Sequence, residues 1–133
     1  MAAGDRLLAM VSPSEVGNLL AAQVGRPVVA LLTAHGDPVV HESVVRSLFA
    51  AGCTHFVCSG LASEALHDRI DDLLVERDGD GFLTTWHDEE SAAEVAAVFF
   101  GAGEAVGTLL VAVIDERDAE LATRLVEQSR LAS

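Results

Sequence analysis

Four short apolar runs punctuate the chain: Val28–Thr33, Phe56–Ser59, Phe82–Trp86 and Leu109–Ile114. Each gives way to a segment whose apolar residues recur at three- and four-residue intervals. Runs of this length suit buried strands, and the longer spacing suits one face of a helix. Strand and helix patterns in alternation predict parallel βα units. The expected fold is an α/β three-layer αβα sandwich, Rossmann-like or flavodoxin-like, with helices on both faces of a mostly parallel sheet. That sheet has four strands, or five if Leu7–Val11 joins it; strand order cannot be read from the pattern. No linker, repeat or low-complexity tract interrupts residues 1–133, which read as a single α/β domain.

Local signals place the helices. Ser12-Pro13-Ser14-Glu15 has the form of a capping box with proline at the first helical position. Val16, Leu19, Leu20 and Val24 then mark a buried face that Gly25 ends. Asp37-Pro38 repeats the cap-then-proline form ahead of Val40, Val44, Val45, Leu48 and Phe49. Ala62 to about Glu76 follows, buried through Ala65, Leu66, Ile70, Leu73 and Leu74. Asp88 opens a helix over Ala92–Phe100, for which Gly101-Ala-Gly103 is a stop. Asp115, with Asp118, caps the last, whose inner face is Leu121, Ala122, Leu125 and Val126. Asp78-Gly79-Asp80-Gly81 resembles the start of a calcium loop but lacks its later oxygen ligands, and reads as a turn.

Charge narrows the function classes. Twenty-one acidic residues face eight arginines and no lysine, a net charge of −13. A nucleic-acid binder needs a cationic footprint, and an anionic membrane surface would repel this chain. A basic protein partner or a small ligand fits the sign better. No run reaches the ~20 apolar residues of a membrane span, and the opening residues lack a signal-peptide pattern. Cys53 and Cys58 lie roughly 16 Å apart if extended, too far for a disulfide. Two free thiols and no leader suit a cytoplasmic protein.

The chemistry candidates cluster where strands should end. Capping explains the strand-end aspartates Asp37, Asp88 and Asp115, but not His35, Cys58, Thr84, Thr85, Trp86 and His87. In a parallel sheet these fall near the carboxyl edge, where ligands bind at a switch in strand order. The uncharged loop Ser59-Gly60-Leu61-Ala62-Ser63 offers backbone N–H groups to an anion. Thr84-Thr85-Trp86-His87 combines apolar area with hydrogen-bonding groups, as pockets do. His41 flanks a buried helix face and reads as packed; His55 lies at the far end of the sheet and His67 beside an acidic helix surface. The glycines at 101 and 103 precede a strand, the wrong order for a dinucleotide fingerprint.

No catalytic constellation is complete. The leading expectation is a small acidic binding or adaptor protein. It would act through protein contacts, or by a ligand held at the carboxyl edge by His35, Asp37, Ser59, Gly60, Thr84, Thr85, Trp86 and His87. No cofactor or bound metal is expected. The alternative is a small hydrolase or metal-dependent enzyme using His35, Asp37, Cys58 and His87. Val98-Phe99-Phe100 gives its helix more apolar surface than one sheet contact needs, so a homodimer is a third expectation.

Overall fold

A computed structural model describes residues 6–35, 41–76, 83–105, 107–114 and 116–132. The strands are β1 (Leu7–Val11), β2 (Val28–Thr33), β3 (Cys53–Ser59), β4 (Leu83–His87) and β5 (Leu109–Val113). The helices are α1 (Val16–Ala22), α2 (Glu42–Ala50), α3 (Ser63–Glu76), α4 (Ala92–Ala102) and α5 (Ala119–Ala132). Leu7–Val11 does join the sheet, which has five strands in the order β1-β5-β2-β3-β4, every neighbouring pair parallel. Helices cover both faces, so the fold is the three-layer α/β sandwich that the alternation implies.

Side-chain parity divides the core in two. Val28, Ala30, Leu32, Phe56, Cys58, Val111 and Val113 face α1, α2 and α3, meeting Leu20, Leu48, Leu66 and Ile70. Val29, Leu31, Val57, Leu110 and Ala112 face α4 and α5, meeting Val95, Phe99, Leu121 and Leu125. β2 and β5 are buried along their whole length, as apolar runs on both faces require. A bulge where Val28 pairs Cys53 and Val29 pairs His55 adds one residue to β3. It lets Cys53 share a core with Phe56 and Cys58 although strict alternation would separate them.

Several boundaries differ from the sequence expectation. Helix α1 stops at Ala22 with Gln23 as its C-cap, so Val24 turns outward and is 85% exposed rather than buried. Helix α3 begins at Ser63, which leaves Ala65 exposed. Helix α4 is capped by Ser91, whose hydroxyl accepts the Glu94 N–H at 3.2 Å, and not by Asp88 three residues earlier. Glu15 completes the capping box, its carboxylate accepting the Ser12 N–H at 2.8 Å, but the turn it closes (Pro13–Glu15) is 3-10. The Asp37-Pro38 cap with Val40, the 78–81 turn, Phe82 and Asp115 lie outside the described residues, as does the side chain of Leu74.

The apolar surplus of α4 is absorbed within the chain. Phe99 and Phe100 are buried edge to face, 5.8 Å between centroids, and only Val98 reaches the surface. Arg6 lies over Phe100 at 5.6 Å and donates to the Phe100 and Gly103 carbonyls at 3.0 and 3.1 Å. A cation is favourable at that helix end. Gly103 is the C-cap, and any side chain there would run into Leu110. Among the described residues, no helix is long and apolar enough to cross a membrane.

Candidate functional site

Topology first creates the crevice. From β2 the chain turns towards α2, and from its neighbour β5 towards α5, on opposite faces of the sheet. The carboxyl ends of such diverging strands leave a gap between their loops. His35, just past β2, and Asp118, in the turn Glu116–Asp118 past β5, form its two lips. The His35 Nε2–H donates to Asp118 Oδ1 at 2.9 Å and ties the lips together. Sequence reading had assigned Asp118 only a capping role.

Beside this bridge lies a half-open cavity of about 180 Å³. Ser59 closes its floor at the end of β3. Glu90 enters from the β4–α4 connection, Arg117 and Asp118 from the turn before α5, and Glu120 from the first turn of α5. Ala92, Val95 and Leu121 form an apolar wall. Strand register brings this about: Thr33 pairs with Ser59, and Ser59 with His87, so three strands end in one row on the α4/α5 side.

His87 belongs to this rim through its partner. Its Nδ1–H donates to Glu90 Oε2 at 3.0 Å, and its Nε2 accepts the Thr85 hydroxyl at 3.0 Å in the neutral ring. The chain Thr85–His87–Glu90 therefore fixes one of the three cavity carboxylates, much as His35 fixes that of Asp118. His35 and His87 share a rim without touching; two carboxylates stand between them.

Other candidates fall elsewhere. Thr84 and Trp86 pair with Phe56 and Cys58, and so lie on the α3 side of the sheet, away from the cavity. Trp86 is 39% exposed there, and the Thr84 hydroxyl is buried without a partner. Cys58 is wholly buried, and burial pushes its thiol up to about 12; Cys53 behaves likewise. A thiol held protonated on the wrong face cannot serve as a nucleophile. Asp37 lies outside the described residues. Among those described, no three His, Cys, Asp or Glu side chains form a set able to hold a metal ion.

The Ser59–Ser63 loop is not an anion nest. Gly60 N–H donates to the His87 carbonyl, Ala62 N–H to Ala34 and Ser63 N–H to Gly60, so three donors are already engaged. Gly60 is required there: its φ is +102°, and a Cβ would sit 2.5 Å from the Ala34 carbonyl oxygen. Its role is to lock the β3 end against both neighbouring strands, which positions Ser59.

The remaining histidines lie apart from the cavity. His41 packs beneath α2, its Nε2–H donating to the Thr33 carbonyl at 2.9 Å, and burial holds its pKa low. His55 lies at the amino end of β3, its pKa also lowered by burial. His67 faces Asp68 and Asp71 on the acidic surface of α3.

Residues 9–129 match the family described as Domain of unknown function (DUF7684). The chain belongs to that family. The matched span runs from within β1 into α5, so all of β2 to β5 and every cavity residue lie inside it. No curated protein matches the chain.

Of the sequence candidates, Ser59 lines the cavity and His35 and His87 bond to two of its carboxylates, whereas Glu90, Arg117 and Glu120 were not among the candidates. Glu90 carried a faint signal, standing three residues after His87 in a segment read as the start of a helix. Arg117 and Glu120 carried none, because the return of β5 to the centre of the sheet puts them there.

Proposed function

We propose that this DUF7684 domain is a small binding protein that holds a low-molecular-weight polar ligand in the carboxyl-edge cavity. The observation that carries this reading is convergence. Side chains from the end of β3, the β4–α4 connection and the start of α5 with the turn before it meet around one polar space, and histidines from two further positions pin two of its carboxylates. Fixed polar groups against an apolar wall are what small-ligand sites share. Preorganisation of this kind lowers the ordering cost of binding.

Ligand occupancy in turn suits an adaptor, since the lips of the cavity are the loops after β2 and β5. A basic protein partner complements the net charge of −13. Buried, reduced cysteines are at home in the cytoplasm. An NMR titration of the 15N-labelled protein with a mixed set of small cations, neutral polar compounds and anions tests the reading. Binding should move the Ser59, Glu90 and Asp118 amide resonances together. Saturable shifts confined to other surfaces would remove the cavity from the proposal.

A further inference from the structure

We propose that the free edge of β4 docks a cationic, extended segment of a partner protein, which joins the five-stranded sheet as a further strand. β4 ends the strand order, and among the described residues no other strand pairs with its outer side. The Gly60 N–H reaches the His87 carbonyl, so the His87 backbone faces β3. Backbone groups alternate in direction along a strand, so the N–H and C=O of Thr84 and Trp86 point away from the sheet. Edge strands are ordinarily blunted by charge, proline or a bulge. Leu83-Thr84-Thr85-Trp86-His87 contains no Asp, Glu, Arg or Pro, and its register with β3 is continuous. Leu83 is 54% exposed and Trp86 39%, one on each face of the sheet. The strand is open to pairing in backbone and side chains alike.

The surroundings choose the partner. Arg69 of α3 bonds Glu42 of α2 at 2.8 Å, which turns that flank of α3 towards α2. His67 and Asp71, each two residues away, point roughly the opposite way. That direction is the edge side of β4, against which α3 packs. The Cys58 thiol is raised by burial and then by the Asp71 charge, and Cys58 pairs with Trp86. Asp68 and Asp71 are exposed on this helix, and Asp88 and Glu89 are exposed just past the strand. An uncharged, hydrogen-bonding edge thus runs between carboxylates, with an indole beside them. An arginine in an added strand would stack on Trp86 and pair with Asp71. A second copy of this chain is the poorer occupant. Two-fold pairing of β4 with itself would set two α3 helices side by side, with Asp68 and Asp71 against their own copies. This edge is separate from the cavity, so either reading can fail alone.

The probe is the heptapeptide acetyl-Thr-Arg-Val-Arg-Val-Arg-Thr-amide, titrated into the 15N-labelled chain at constant ionic strength. One control carries glutamate for each arginine. The other is the arginine peptide fully N-methylated, which keeps the charges but cannot donate to the edge. The expected result is saturable movement of the Leu83–His87 resonances by the unmodified arginine peptide alone. Hydrogen exchange at Thr84 and Trp86 should slow by roughly tenfold or more when it binds. Trp86→Ala and Asp71→Asn should each weaken the peptide by about two- to fivefold, as loss of an exposed cation–π contact or ion pair implies.

An equal response to the glutamate peptide would overturn the cationic class. An equal response to the N-methylated peptide, or binding that leaves Thr84 and Trp86 unprotected, would overturn strand addition. Protection of those two amides that rises with protein concentration, without peptide, would assign the edge to a second copy and overturn the proposed partner. No movement of β4 by any of the three peptides would overturn the proposal outright. Unchanged affinity in both variants, with dispersed spectra, would overturn the roles given to Trp86 and Asp71.

Discussion

The two sides of the sheet are built from the same strands and differ sharply at the carboxyl edge. On the α1/α2/α3 side the core is sealed: Phe56, Cys58, Leu66 and Ile70 are wholly buried, and Phe49 meets Phe56 edge to face at 5.1 Å. On the α4/α5 side the same strand ends finish in Ser59 and His87 and open into a polar cavity. Neighbouring residues therefore have opposite fates. Cys58 is core and Ser59 lines the cavity; Trp86 belongs to one side and His87 to the other. Parity within a strand decides which side chains can do chemistry, more than residue type does.

The strongest way to break this contrast is alkaline pH. Both cysteines lie on the sealed side with thiols pushed up to about 12, against an ordinary value of 9.0. Their contribution to stability is complete below about 9 and is lost as pH rises towards 12, because only the unfolded chain releases those protons. The expected slope is about 1.4 kcal/mol per pH unit for each thiol. With no lysine and no tyrosine in the chain, little else titrates in that window. Urea unfolding from pH 8 to 11 should show the decline, and a Cys53→Ala, Cys58→Ala double variant should flatten it.

Phe56→Ala should cost about 3–5 kcal/mol in the same assay, as a large cavity opens in a sealed core. A loss below 1 kcal/mol would mean that this side is not packed as described. Gly60→Ala comes next, at roughly 2–3 kcal/mol, from a left-handed backbone and a collision with Ala34. Its resonance shifts should spread to His87, which accepts the Gly60 N–H.

Acid acts more gently. His41 and His55 are held neutral by burial, with pKa values below the ordinary 6.5. Their contribution is present above about 6.5 and falls as pH drops, since the unfolded chain takes protons that the folded rings refuse. His41→Gln should make stability between pH 7 and 5 less steep. The smallest effect is expected at the open side. Ser59→Ala removes a hydroxyl at the cavity wall rather than a packed core group, so stability should change by less than about 0.5 kcal/mol. A loss above 1 kcal/mol would show that the hydroxyl is structural, and the two sides would no longer differ in kind.

Much of the architecture was legible along the chain. β2 is Val28–Thr33 as the apolar run between Pro27 and the polar loop implies, and β5 departs from its run by a single residue. Helix ends were less legible. Asp88, Glu89, Glu90 and Ser91 all suit a helix start chemically, and only the path of the chain from β4 chose Ser91. Val24 keeps the helical spacing, yet the helix ends before reaching it. The site was legible in part. His35 and His87 stood out because capping did not explain them, and Ser59 because it opens the uncharged loop Ser59–Ser63, whose N–H groups prove to be engaged within the protein. Trp86 attracted attention for the same reason as His87, but it points to the other face.

Hydropathy period and turn chemistry are local properties, so the sequence by itself determined strands, helices and the α/β class. Strand order is a long-range property, decided by which edge each βα unit packs against. Only the tertiary structure brought β5 beside β2, and with it Asp118 to His35 across a separation of 83 residues.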